Sequence, residues 1–418
     1  MPARARDVEQ VRTRPDSPYR FVILGFLGLA NIFNSVIALS LGILLPSISD
    51  DLGLSPSEQG WLGSSALLGN LVLALPASAW LSRFNSKMVL EVTLFLGAVF
   101  VFAQGWAPAF VALILGRLAF GLVMVARTPA RAILTAQWFP PREIVVVNGI
   151  VNSTYGLAAV IGLVLTPFLL LWLDNSWRAT LTVYGIIFLV IAIAWVFMGK
   201  ERNIEGPRRS ARLAEGSPLR SLLRYRELWY ISIGMFGTTI MWSGLAVFWP
   251  TLMLDTYDIP LTISGSVLSL AAVAEAIGSI LLAIYLMRVV KRDMRKFLVA
   301  GLGTLLVASA VGLVLTGSIP LLVFLAIFHG IGFSFVPIIW TVPFELPGIK
   351  PREIAVASGL IEMALRGGGV VGPILAGFLH EATGDLSLAL VVTSLCGLSI
   401  VAVALMRFGK GYERVPVP

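Results

Sequence analysis

The 418-residue sequence holds a single cysteine, Cys396, and only two histidines, His329 and His380. One cysteine excludes a disulfide framework within the chain and any multi-cysteine zinc site. Two isolated histidines leave no histidine-rich metal cluster, and no nucleophile elbow accompanies them, so neither a metal site nor an enzyme is expected. No Gly-x-x-x-x-Gly-Lys-Ser/Thr loop occurs, which leaves a built-in nucleotide motor without support, and no cofactor is implied. Charge is scarce too: Asp, Glu, Lys and Arg make up 13% of the residues against 57% apolar ones, with a mean hydropathy of +0.89. A chain of that composition lies outside the range of water-soluble domains.

What is present is a succession of long apolar runs, such as Phe21 to Leu45 and Ile231 to Leu254. About 20 apolar residues in a helix cross roughly 30 Å of hydrocarbon. Twelve such spans are expected, near 20–46, 60–81, 88–106, 109–137, 144–172, 178–199, 227–253, 263–287, 297–316, 319–343, 354–379 and 385–407. The first is preceded by Arg4, Arg6, Arg12, Arg14 and Arg20, as in a signal peptide. Its run continues to Pro46 with no small-residue cleavage site, so it is an uncleaved span. The fold class is an all-α membrane protein.

The formal charge of +8 sits between apolar blocks without an aromatic-basic groove, so no nucleic-acid partner is expected. It has a topological pattern instead. With residue 1 in the cytoplasm, Arg83, Lys87, Arg142, Arg288, Lys291, Arg292, Arg295, Lys296, Lys350 and Arg352 all face that side. The other side collects Asp50, Asp51, Glu58, Asp174, Asp255, Asp258, Glu381 and Asp385. By the positive-inside rule both termini are cytoplasmic.

The two halves of the chain repeat one another. Pro141-Arg142-Glu143-Ile144 with Gly149 recurs as Pro351-Arg352-Glu353-Ile354 with Gly359, an offset of 210 (351 − 141). Pro46, Gly60, Arg83 and Lys87 have counterparts in Pro250, Gly265, Arg288 and Arg292. The division is therefore an N-terminal six-helix bundle, 1–199, an arginine-rich linker, 200–226, and a C-terminal six-helix bundle with a short tail, 227–418. Two parallel halves of this kind form a transporter architecture, with the solute site near the midplane where they meet.

These features resemble the major facilitator superfamily over Tyr19 to Phe408. Ser78 to Lys87 is similar to that family's loop between spans two and three, keeping Arg83 and Lys87. It has Ser82 where the family carries an acid that helps lock the two halves together. Gly116-Arg117 with Gly121 is similar to the family's membrane-embedded arginine motif, and Trp138 to Glu143 to the stretch that follows it. Gly372-Pro373 in span eleven matches the glycine-proline motif best known from span five of antiporters, where this chain has Leu163 in place of proline. The resemblance implies a twelve-helix, two-bundle transporter working by alternating access. Arg83, Lys87, Arg288, Gly372 and Pro373 are then candidates for its conformational motifs.

Ionisable groups inside spans mark functional sites, because an unpaired charge is costly in hydrocarbon. Arg117, Arg127, Arg131, Glu275, Glu362 and Arg366 qualify. Arg117 and Arg131 share a helix face, and guanidinium groups match carboxylates and other oxyanions. Arg117 is thus the main candidate anion ligand, helped by Arg127, although Arg127 and Arg131 are also placed to serve as interfacial anchors. Asn31, Asn34, Asn152, Tyr155 and Trp242 are candidates for orienting the solute. Glu275, Glu362, Arg366 and His329 are candidates for proton coupling, while Glu362 and Arg366, four apart, suit an internal ion pair equally well. The function expected is secondary transport of a small organic or inorganic anion by proton symport, in a monomer of a bacterial cytoplasmic membrane. The alternatives are a drug/proton efflux antiporter and a solute sensor of the same fold.

Overall fold

The computed structural model describes residues 17–81, 84–140, 143–202, 225–288, 294–346, 348–349 and 351–406. The N-terminal half consists of α1 (Tyr19–Leu52), α2 (Pro56–Leu81), α3 (Ser86–Gly105), α4a (Phe110–Met124), α4b (Arg127–Trp138), α5 and α6 (Trp177–Met198). Helix α5 runs as Ile144–Val160, a π turn at Ile161–Leu165, and Thr166–Trp172. The C-terminal half repeats the plan with α7 (Arg226–Tyr257), α8 (Leu261–Arg288), α9 (Arg295–Val314), α10a (Ile319–Phe333), α10b (Val336–Glu345) and α11 (Pro351–Thr383). Helix α12 (Leu386–Leu395) tightens into 3₁₀ geometry over Cys396–Leu405. Among the described residues, eleven helices are long and apolar enough to cross a membrane; α2 is the further long helix in the expected order.

The repeat expected from sequence is visible in the backbone. Pro46 lies inside α1 and Pro250 inside α7. Each helix then ends on a left-handed residue, Gly53 (φ 63°) or Asp258 (φ 53°), whose N–H turns back to cap the helix. The fourth and tenth spans, expected as single helices, are both broken, at Val125–Ala126 and at Ser334–Phe335. The cause is shared: Pro129 and Pro337 have no N–H to give to the residue four earlier, so the ladder fails one turn before them. Around each break the chain makes three-residue bonds instead, Ala126 N–H to the Val123 carbonyl and Ile338 N–H to the Phe335 carbonyl. The outer ends of α1 and α11 run beyond the expected spans because apolar blocks stop at polar residues while helices do not.

One end of the molecule gathers Tyr19, Glu143, Trp138, Met198 and Lys200, through Arg20–Glu143 and Trp138 Nε1–Lys200 hydrogen bonds and the Tyr19 hydroxyl on the Met198 carbonyl. Lys296 reaches the Met406 carbonyl there as well. This is termed the terminal face. The opposite, distal face carries Asp51 bound by Arg178 and Trp177, with Arg178 also on the Ala107 carbonyl. Trp106 and Trp172, 70% and 86% exposed, stand at helix ends on that face, as aromatic residues do at a membrane boundary.

The halves meet most closely toward the distal face, where glycines let backbones touch. A Cβ on Gly42 of α1 would lie 2.0 Å from the Ala246 carbonyl oxygen of α7, and one on Gly265 of α8 would lie 1.9 Å from that of Leu163 in α5. Gly60 of α2 packs on Pro373 of α11 in the same manner. Hydrogen bonds from Ser64 Oγ to the Val370 carbonyl (2.6 Å) and from Ser57 N–H to Glu381 (3.0 Å) add to this seam. Apolar association alone gives no advantage against lipid, so close packing of small residues carries such an interface.

Candidate functional site

The break after Ala126 sets Arg127 on the first turn of α4b. Its Nη1 donates to Oδ1 of Asn31 on α1 at 3.0 Å. The Asn31 amide is in turn held by α5: Nδ2 donates to Thr154 Oγ1 at 2.8 Å and to the Val151 carbonyl at 3.1 Å. Arg127 Nε is buried without a hydrogen-bond partner. Arg131, one turn further along α4b, and Arg366 of α11 both act on Arg127 by charge. Three guanidinium groups thus bear on one region, with neutral Asn31 as the hydrogen-bond partner of the central one.

Arg366 is paired within its own helix, Nε to Glu362 Oε1 at 2.9 Å, with the two side chains 30% and 42% exposed. A pair that open to water adds little stability; its effect is to offset one positive charge. Glu275 of α8 acts by charge on Tyr155 of α5, and Trp242 of α7 lies near the Tyr155 hydroxyl. Tyr155 keeps 42% of its surface open, on the side of α5 that feels the charge of Glu275 in the other half. Trp242 stacks on His329 of α10a, with ring centroids 6.1 Å apart, and Phe333 closes edge-on to both rings. His329 is 1% exposed, with Ser309 Oγ 3.4 Å from Nδ1 and no partner on Nε2.

The other sequence candidates fall elsewhere. Arg117 is 4% exposed in α4a, with its Nη1 on Gln104 of α3 at 3.4 Å. It is ten positions before Arg127, about 15 Å along the helix axis. Asn34 is half-buried on α1, one turn beyond Asn31. Arg83 and the side chains of Asn152 and Arg288 lie outside the described residues. Lys87 donates to the Val196 carbonyl of α6 at 3.3 Å, within the N-terminal half. Gly372 packs on α7, where its Cβ would sit 2.3 Å from the Ile240 oxygen, and Pro373 meets Gly60 and Gly63 of α2 across the seam. Thr154 went unnoticed in the sequence, because a threonine in an apolar helix carries no signal of what it faces. Among the described residues no three His, Cys, Asp or Glu side chains gather where a metal ion could be held.

A family model described as Major Facilitator Superfamily matches residues 24–348. The chain is 24% identical over 409 residues to a hexuronate transporter of Bacillus subtilis (strain 168), covering 92% of this chain and 94% of that protein. It is also 24% identical over 429 residues to the probable galactarate/D-glucarate transporter GarP of Escherichia coli (strain K12), covering 93% and 95%. Among solved structures, a bacterial homologue of the human lysosomal transporter Spinster superposes with a TM-score of 0.75 at 14% identity, covering 94% of this chain and 96% of that one. The nucleoside transporter NupG gives 0.68 at 17%, covering 93% and 99%. At those identities the two structures speak to the fold.

Proposed function

The chain belongs to the major facilitator superfamily, and from that premise we propose that it is a proton-coupled symporter of a small organic anion, a sugar acid whose carboxylate is taken by Arg127. The observation that carries this reading is the state of Arg127: buried Nε unpartnered, Nη1 on a neutral amide, and two further guanidinium groups acting on it. A buried cation without a carboxylate partner is unfavourable in hydrocarbon, and an arriving carboxylate relieves it by two-point hydrogen bonding. The names of the relatives, hexuronate and galactarate/D-glucarate transporters, agree with an acidic sugar.

Alternating access follows from where the halves touch. With the distal seam packed, the passage is read as open to the terminal face, which we take to be cytoplasmic because Arg20, Lys87, Lys200 and Lys296 lie there. The bundles 1–199 and 227–418 then rock about the site, with 200–226 as the tether. Glu275 is the proton carrier: it is a carboxyl on α8 whose charge is felt by Tyr155 of the other half, and its protonation removes a negative charge from the passage as the anion enters. Arg366 and Glu362 adjust the field, and His329 with Trp242 backs the C-terminal wall. The protein works as a monomer in a bacterial cytoplasmic membrane.

Purified protein in liposomes tests this. Labelled D-glucuronate and D-glucarate are offered with and without an inward proton gradient. Saturable uptake enhanced by the gradient, with its apparent affinity strongly weakened in Arg127→Ala, is expected. Gradient-driven cation efflux with no anion uptake overturns the proposal.

A further inference from the structure

Thr154 precedes Tyr155 on α5, and its hydroxyl has a fixed donor and acceptor role. It donates to the Val151 carbonyl at 2.5 Å, which commits its only hydrogen. Toward Asn31 it is therefore an acceptor, and it receives Nδ2 at 2.8 Å. The Val151 carbonyl, an acceptor as well, receives Nδ2 at 3.1 Å. Both groups that meet the Asn31 amide from α5 thus require its NH₂ end. The methyl of Thr154 is directed at α1, with Cγ2 3.5 Å from where a Gly28 Cβ would stand.

The amide oxygen of Asn31 is left facing α4b, where Arg127 Nη1 meets it at 3.0 Å. A reversed amide would set its oxygen against two acceptors and its NH₂ against a guanidinium donor. We infer that Thr154 is a positioning residue of the anion site: by fixing the Asn31 amide it aims the Arg127 guanidinium, whose Nε has no hydrogen-bond partner of its own. The inference rests on Arg127 as the anion ligand and adds the element that orients it. Precision matters because a bidentate carboxylate contact needs both N–H vectors aligned. A guanidinium that swings among rotamers loses affinity without losing charge.

Thr154→Val removes the hydroxyl at constant shape, and Thr154→Ser keeps it. In liposomes, with D-glucarate or D-glucuronate as probe, Val is expected to raise the apparent KM about tenfold with little change in maximal rate, as for loss of one hydrogen bond at a charged site. Ser is expected to stay close to the parent. A parental KM in Val overturns the inference, and so does a Ser variant as impaired as Val, since packing of the methyl and not the hydroxyl would then be responsible. If Arg127→Ala transports normally, the anion-ligand reading fails instead, and the two failures are thereby distinguished. A structure of the Val variant decides without any probe: Arg127 displaced from Asn31 is expected, and Arg127 in its parental position overturns the inference.

Discussion

Arg127 and Asn31, 96 positions apart, are joined by a 3.0 Å hydrogen bond between α4b and α1, and the partner is an amide where a carboxylate would neutralise the charge. The choice of partner separates anchoring from binding. An amide holds the guanidinium in place and leaves its charge for something else to neutralise, whereas an acid would make a closed pair. The flanking charge of Arg131 presses in the same direction, because like charges in one region raise the benefit of an incoming anion, while that of Arg366 is offset by Glu362.

Removing the side chain with Arg127→Ala is expected to weaken anion uptake by about 10- to 100-fold in apparent affinity, the range for a charge-assisted hydrogen bond. Arg127→Lys should recover only part of it, because an ammonium cannot make the planar two-point contact. Concentration dependence of uptake in liposomes measures both; equal rescue by Lys would argue that charge alone matters.

Asn31→Asp makes the complementary test. It places a carboxylate where the amide oxygen meets Arg127, so an internal ion pair competes with the solute. The apparent KM for the anion is expected to rise at least about tenfold at neutral pH, in line with a hydrogen bond to a charged group, while the protein still folds. Unaltered affinity in Asn31→Asp would mean that the anion binds elsewhere.

Glu275→Gln addresses coupling. In the parent, uptake is expected to grow as the pH on the entry side falls, because in the proposed mechanism Glu275 takes up a proton for the solute to be carried. In Gln the site is permanently neutral, so uptake driven by the proton gradient is lost and its pH dependence flattens. Exchange of labelled for unlabelled anion across the bilayer, which needs no net proton movement, should persist. Gradient-driven accumulation in Glu275→Gln would remove the carboxyl from its role.

Much of the architecture was legible in the sequence because hydrocarbon imposes one rule, that every span be a long apolar helix. The internal repeat showed the pairing of halves, and Pro46 and Pro250 do sit alike in α1 and α7. The breaks before Pro129 and Pro337 were in principle readable too, since proline removes a defined bond. The site was less legible. Charge inside a span singled out Arg127 and Arg117 alike, yet Arg127 meets a polar network from α1 and α5 while Arg117 lies against Gln104. Their helix-mates are the same; their neighbours come from distant sequence, which spacing along one helix does not encode. Thr154 was invisible for the same reason.

The glycine seam supplies the last prediction. A Cβ on Gly42 would lie 2.0 Å from the Ala246 carbonyl oxygen, a backbone atom that no rotamer change can move aside, whereas one on Gly25 of the same helix would meet nothing within 4 Å. Gly42→Ala should therefore force α1 and α7 apart on the distal side, with a penalty of about 1–3 kcal/mol falling on the distally closed state alone. Because only one of the two states is penalised, maximal transport rate should drop about tenfold while anion affinity changes little. Gly25→Ala, which adds the same methyl to the same helix, serves as the control and should transport at the parental rate. Parental rates in Gly42→Ala would show that this contact is not part of the closing surface.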